Sequence, residues 1–194
     1  MSLITKQLNN EVAEILKNGG VGVLPTDTLY GLVGSALQVN VVERIYKLRQ
    51  RNLDKPMIIL ISSLDDLELF DIGLDEEIQE KIESFWPGQV SVILPCSSEK
   101  FSYLHRGQNS LAFRWPDRAD LLALLDETGP LVAPSANIEG LEPARTFSEA
   151  QNYFGEQLDL YVDQGEIDSS PSTIVLIEDG ELRVVREGAV EIRE

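Results

Sequence analysis

Histidine and cysteine are almost missing from this chain: among its 194 residues there is one of each, His105 and Cys96. One cysteine excludes a disulfide framework within the chain and suits a reducing cytoplasm, the expected location. One histidine beside one cysteine leaves too few ligands for a Cys/His zinc site. Positive charge is scarce as well, with 16 Lys and Arg against 33 Asp and Glu and a formal net charge of −17. Non-specific binding to nucleic acid needs a basic face that releases counterions from phosphates, so this chain could bind RNA tightly only through a segregated patch. Long apolar runs are absent too: Met57 to Ile61 and Val90 to Leu94 fall far short of the ~20 residues a membrane helix requires. The first twenty residues carry no basic segment followed by an apolar one, so a secretory signal is not expected. Neither a GxxxxGK[ST] phosphate loop nor a GxSxG elbow occurs, which places any use of ATP outside the common nucleotide folds.

What is present reads as one packed α/β domain over residues 1–194. Hydrophobic residues make up 43% and charged residues 25%, with no repeat, low-complexity tract or linker. The apolar spacing predicts a helix over Asn9 to Lys17, capped by Asn9 or Asn10 and ended at Gly19-Gly20, then a buried strand over Val21 to Leu24. Further helices are expected at Val41 to Arg49, from Ser63, at Asp75 to Phe85 (stopped by Pro87-Gly88), at about Arg118 to Leu125, and at Phe147 to Phe154 with Thr146 as cap. Strands are expected at Met57 to Ile61, Val90 to Leu94, Ser110 to Phe113, Leu131 to Ala133, Leu160 to Val162, Ser172 to Ile177 and Leu182 to Arg186. The last two should be joined by a hairpin turn at Asp179-Gly180. Such mixing predicts a sheet with antiparallel pairs and no strict βαβ winding.

Several short elements could carry chemistry. PTDTLYGL (Pro25 to Leu32) leaves a buried strand, where open sheets place ligands; its Thr and Asp side chains equally suit a turn that caps its own backbone. Lys47, Arg49, Arg51 and Lys55 form a local basic run. It reads either as a complement to a helix C-terminus or as a polyphosphate clamp, with residues 47 and 51 on one helix face. LVAPSAN ends a strand in Ser135 and Asn137, SSPSTIV opens one with Ser172 and Thr173, and Arg186 precedes Gly188. Arg114, between Phe113 and Trp115 at a strand end, is an unusual place for a solvated arginine. His105 reads as a residue of a polar loop without a catalytic role, and Cys96 as a small apolar side chain.

Taken in order, PTDTLYGL, the basic element with DKP, WPG, FRWPD, PSAN, PSTIV and RxG resemble the YrdC-like family of threonylcarbamoyl-AMP synthases in its short, single-domain form. The resemblance runs from about Gly20 to Val190. It implies a twisted, open mixed sheet with flanking helices around a concave cavity. The implied activity is nucleotidyl transfer: ATP, L-threonine and bicarbonate give threonylcarbamoyl-AMP and pyrophosphate. Magnesium would enter with ATP, and partner proteins would pass the product to tRNA for t6A modification; the resemblance leaves direct binding to tRNA open. Carried over by position, it places Thr28, Tyr30, Arg114, Ala133 and Ser172 around threonine. Arg49, Arg51, Lys55, Ser110, Ser135, Asn137 and Arg186 fall around ATP, with no covalent nucleophile and no protein-held metal.

The chain departs from the family pattern where Arg49 replaces the lysine of KxR, Asn52 a proline, and Glu139 a small hydroxyl. Leu176 and Glu187 replace an aspartate and a proline. Three other readings share these features. They are a non-catalytic factor binding tRNA or double-stranded RNA, a carbamoyl-transfer domain of the hydrogenase-maturation type, and a family member that has lost activity.

Overall fold

The computed structural model describes residues 1–178 and 180–192. In chain order its elements are β1 (Leu3–Thr5), α1 (Asn10–Lys17), β2 (Gly22–Pro25), β3 (Tyr30–Ser35), α2 (Val39–Arg49) and β4 (Ile58–Leu60). They continue with α3 (Glu76–Glu83), β5 (Val90–Pro95), α4 (Ser102–His105), β6 (Ser110–Arg114), α5 (Ala119–Thr128) and β7 (Leu131–Val132). Last come α6 (Phe147–Phe154), β8 (Leu160–Val162), β9 (Thr173–Glu178) and β10 (Glu181–Arg186). Among the described residues the strands form one open sheet in the order β1-β8-β2-β3-β7-β4-β6-β5-β9-β10. It is mixed: β1 and β2 pair parallel to β8, β4 to β6 and β5 to β9, while β2–β3, β3–β7, β4–β7, β5–β6 and β9–β10 are antiparallel.

The central strands are apolar at consecutive positions because both faces of the sheet are covered. Val23, Ile59, Val132 and Tyr161 point into one core with Ile45 and Tyr46 of α2 and Phe154 of α6. Their neighbours Leu24, Leu60, Leu131 and Leu160 point into the other, against Val12 and Leu16 of α1 and Leu121 and Leu125 of α5. The period of two thus divides each run between two layers of helix. Caps fix where helices begin: Asn9 Oδ1 accepts from Val12 N at 3.1 Å, Asp75 Oδ1 from Ile78 N at 2.8 Å, and Thr146 Oγ1 from Glu149 N at 3.2 Å.

The structure extends the sequence reading at two places and corrects it at three. PTDTLYGL leaves the buried strand β2 as expected and goes further: it forms the turn and return of the β2–β3 hairpin, with Thr26 N bonded to Leu29 O at 3.0 Å. β1 also had no strand pattern, being three residues half-hidden at the sheet edge. The segment after Ser63 is a 3-10 helix (Leu64–Phe70) whose Ser63 makes no side-chain cap; instead Asp66 accepts from Ser62 N at 2.7 Å. Arg51 does not share a helix face with Lys47, because α2 stops at Arg49 and Gln50 turns left-handed at φ 50°. His105 is not a solvated loop residue: it closes α4, is buried, and its Nδ1 accepts from Gly107 N at 3.1 Å. Of the expected Asp179-Gly180 turn, Asp179 lies outside the described residues. Cys96 is buried, and that burial pushes its thiol pKa up. No helix among the described residues is long and apolar enough to cross a membrane.

Candidate active site

Two cavities meet over the middle of the sheet. The smaller, about 220 Å³, is walled by the β2–β3 turn, the end of β6, the segment after β7 and the Pro171-Ser172 approach to β9. The larger, about 800 Å³, lies between the loop after α2, β5, β6, β9 and the end of β10. Ile58, Pro134, Ser135 and Arg186 line both, so the two are one continuous hollow with a narrow and a wide end.

The narrow end is built from hydroxyls and one buried cation. Thr28, Tyr30, Arg114, Ala133 and Ser172, the five residues expected around threonine, all line it. Thr26 organises the turn: its hydroxyl donates to Leu29 O at 2.7 Å and accepts from the amides of Thr28 and Leu29 at 3.1 and 3.2 Å. Thr28 Oγ1 lies 3.1 Å from Thr26 Oγ1, a pair in which either hydroxyl can donate. Tyr30 offers its ring alone, because its hydroxyl donates to Gly165 O at 2.7 Å and accepts from Gln164 N at 3.1 Å. Ser172 Oγ lies 2.9 Å from Ser91 Oγ, both buried.

Arg114 reaches this end from β6 with a side chain only 4% exposed, and its Nη2 sits 3.2 Å from Thr26 Oγ1 and 3.1 Å from Asp27 Oδ1. The contact with Asp27 is an ion pair rather than an aligned hydrogen bond, and among the described residues Nε of Arg114 has no partner. Burial pushes the Asp27 carboxyl upward against the pull of Arg114, and burial pushes the guanidinium downward. Arg118 holds the same turn from outside, donating to Pro25 O at 3.3 Å and Thr26 O at 3.2 Å.

Cations line the wide end: Arg49, Arg51, Lys55 and Arg186, with Ser110 and, among the described residues, a single carboxylate, Asp54. Arg49 is 3% exposed; its Nε donates to Asn137 O at 3.0 Å and its Nη2 to Asn137 Oδ1 at 2.9 Å and Ser135 Oγ at 3.3 Å. Its Nη1 is buried without a partner among the described residues. Burial lowers its pKa to about 10, with Arg51 acting the same way, which leaves it charged at neutral pH. Arg51 donates to the carbonyls of Lys55 and Pro56 at 3.0 and 2.9 Å and shapes the 52–56 loop.

Asn137, expected at ATP, lines neither cavity. It sits behind the wall, accepting from Ser135 Oγ at 2.7 Å as well as from Arg49, and its amide donates to Ile138 O and Leu141 O at 2.9 and 2.7 Å. It therefore orients Arg49 and Ser135. The RxG element acts through contact too: Arg186 Nη2 donates to Ser172 O at 2.7 Å, and a Cβ on Gly188 would lie 2.3 Å from Pro171 O. Only glycine lets the chain press Ser172 into place there.

The family's model, Sua5/YciO/YrdC, described as “Telomere recombination”, matches residues 14–188. The chain belongs to this family. It is 34% identical over 166 residues to the threonylcarbamoyl-AMP synthase of Bacillus subtilis, an alignment covering 84% of this chain and 46% of that protein. The chain thus spans about half the length of that relative. The crystal structure of P. abyssi Sua5 complexed with L-threonine matches with a TM-score of 0.86 at 28% identity, over 97% of this chain and 57% of that one. E. coli YciO matches with a TM-score of 0.86 at 26% identity, over 98% of each chain.

The sequence pattern did not single out Arg118, Gln108 or Pro143. Asp27 and Arg118 were visible only as members of PTDTLYGL and a predicted helix start, and nothing in their spacing announced that they converge on one turn.

Proposed function

We propose that the chain is an enzyme that joins L-threonine, bicarbonate and ATP into threonylcarbamoyl-AMP, releasing pyrophosphate, for t6A modification of tRNA. The observation that carries this reading is the pairing of the two cavities. A narrow end with hydroxyls around a buried arginine suits a small amino acid, and a wide cationic end suits a nucleoside triphosphate; Ser135 and Arg186 stand at their junction. The relatives support it: one is named threonylcarbamoyl-AMP synthase, and the structure of another holds L-threonine.

In this reading Arg114 takes the carboxylate of threonine, while Thr28 and Ser172 orient its amine and hydroxyl. The neutral amine attacks bicarbonate; an N–C bond forms, a C–O bond breaks, and the departing oxygen leaves as water with an amine proton, giving a carbamate. The carbamate oxygen then attacks the α-phosphorus of ATP; a new O–P bond forms as the bond to pyrophosphate breaks. No enzyme nucleophile is required, so the residues work by holding two anions in line and balancing the charge. Arg49 and Arg51 face the phosphates, with Arg186 between the two ends. Magnesium arrives as part of the nucleotide substrate, since one carboxylate among four cations makes the wide end a poor independent metal site.

The test is pyrophosphate release from MgATP in bicarbonate buffer, with and without L-threonine. Release that depends on threonine is expected. ATP binding without release identifies a member that has lost activity. Salt-sensitive RNA binding without ATP turnover overturns the enzymatic reading.

A further inference from the structure

Glu139, one of the departures from the family pattern, makes contacts that a phosphate would make. Its Oε1 accepts from Lys55 Nζ at 2.8 Å and its Oε2 from the backbone N–H of Asn52 at 2.5 Å. An amide and an ammonium converging on paired oxygens form the usual chemistry of a phosphate site. Within its own loop the Asn52 amide has no other acceptor: Gln50 is left-handed, Arg51 N bonds back to Tyr46 O, and Asn52 O and Oδ1 serve as acceptors for Lys55 N and Asp54 N. The carboxylate comes from 87 residues away to supply what the loop lacks. Lys55, Asp54 and Arg51 line the wide end of the hollow, so this corner belongs to its rim.

We propose that Glu139 is a built-in occupant of a phosphate subsite formed by Asn52 N and Lys55 Nζ. The terminal phosphate of the nucleotide displaces it, and it returns as pyrophosphate leaves. The assignment rests on the reading of the wide end as a nucleotide site.

Two features make the exchange physically easy. The Lys55–Glu139 pair is open to water, with side chains 59% and 24% exposed, and exposed pairs hold weakly. The backbone of Glu139 is fixed, since its N–H donates to Arg49 O at 2.8 Å, so displacement is a side-chain swing and not a loop movement. A trianionic or tetra-anionic ligand, drawn by Arg49 and Arg51 as well, outcompetes one carboxylate. When pyrophosphate is the product, the carboxylate is the competitor that weakens its hold.

The test is calorimetric titration of magnesium pyrophosphate and, separately, adenosine into the wild type, Glu139→Ala and Glu139→Gln. Removing the charge is expected to tighten pyrophosphate about tenfold, one nearby charge at moderate screening, and to leave adenosine unchanged. Unchanged or weaker pyrophosphate with adenosine intact overturns the proposal and leaves Glu139 as a structural tie. If Glu139→Ala loses adenosine as well, its loop has collapsed and Glu139→Gln, which keeps an acceptor for Asn52, decides on the same criterion. If the wild type shows no threonine-dependent turnover and the variants still tighten pyrophosphate, the subsite stands and the synthase reading falls. If none of the three proteins binds pyrophosphate, the subsite is overturned.

Discussion

The buried pair between Asp27 and Arg114 should cost the fold stability, and that cost can be measured. Both side chains are about 95% buried, at 5% and 4% exposure, and 3.1 Å apart. Burial raises the proton affinity of Asp27 despite the adjacent guanidinium and lowers that of Arg114 despite the adjacent carboxylate. Both shifts run toward the neutral forms, so desolvation outweighs attraction. Replacing the pair by apolar groups of similar volume, Asp27→Leu with Arg114→Met, should therefore stabilise the protein by about 1–4 kcal/mol. In a chain of this size that raises Tm by roughly 2–4 °C per kcal/mol. Arg114→Met alone should cost about 3–5 kcal/mol, because it strands a buried carboxylate. The pH dependence has a definite sign. The folded pKa of Asp27 lies above its ordinary value, so its contribution is fully present below the carboxylate range and is lost as pH rises through the folded value. Asp27→Asn, which cannot ionise, should consequently gain on the wild type as pH rises from acid to neutral. Urea denaturation of the four proteins at several pH values measures all of this, with threonine titrations expected to show no binding wherever Arg114 is gone. A double variant no more stable than the wild type would refute the reasoning.

Three further outcomes test other parts of the site. Arg49→Lys keeps the charge and loses the fork on Asn137 and Ser135, so it should lower stability by about 1–3 kcal/mol in denaturant titrations and weaken ATP binding in calorimetry. Asn137→Ala touches no cavity, yet it frees Arg49 and Ser135; steady-state kinetics should show the KM for ATP rising several-fold, with a smaller change for threonine. Gly188→Ala drives a methyl group into Pro171 O and should push Ser172 out of the narrow end, seen as lost threonine binding while adenosine still binds.

Much of the fold was legible because burial of both sheet faces writes itself as short unbroken apolar runs, and caps such as Asn9, Asp75 and Thr146 mark helix starts locally. What escaped was non-local or unpatterned. β3 was hidden because YGLVGS carries two glycines and a tyrosine in place of a β-branched run; its partners β2 and β7 supply the order. His105 looked polar by its neighbours, yet it is packed under the turn after α4. In the site, residue identity fixed the cations but not their partners. Arg49 read as one of a basic run and Arg114 as an arginine between aromatics, and neither pattern showed that one is held by neutral acceptors and the other by a buried carboxylate.

That difference in partners decides how charge is distributed along the hollow. Of the five cations expected there, Arg114 is paired with Asp27 and Lys55 with Glu139. Arg49 and Arg51 are bonded to carbonyls and to neutral side chains, and Arg186 to the Ser172 carbonyl and hydroxyl, all of which orient a guanidinium without cancelling its charge. The uncompensated charge is thus concentrated at the wide end and the junction, facing where the triphosphate is proposed to lie. The narrow end keeps a pair whose partner carboxylate resists ionisation, so the threonine carboxylate proposed to bind there would meet an arginine only partly satisfied, whose Nε has no partner among the described residues. Three full charges cannot balance a triphosphate and a carbamate together, so the reading requires the nucleotide to bring its own magnesium. It follows that threonine affinity should be insensitive to magnesium, while ATP affinity should fall sharply without it.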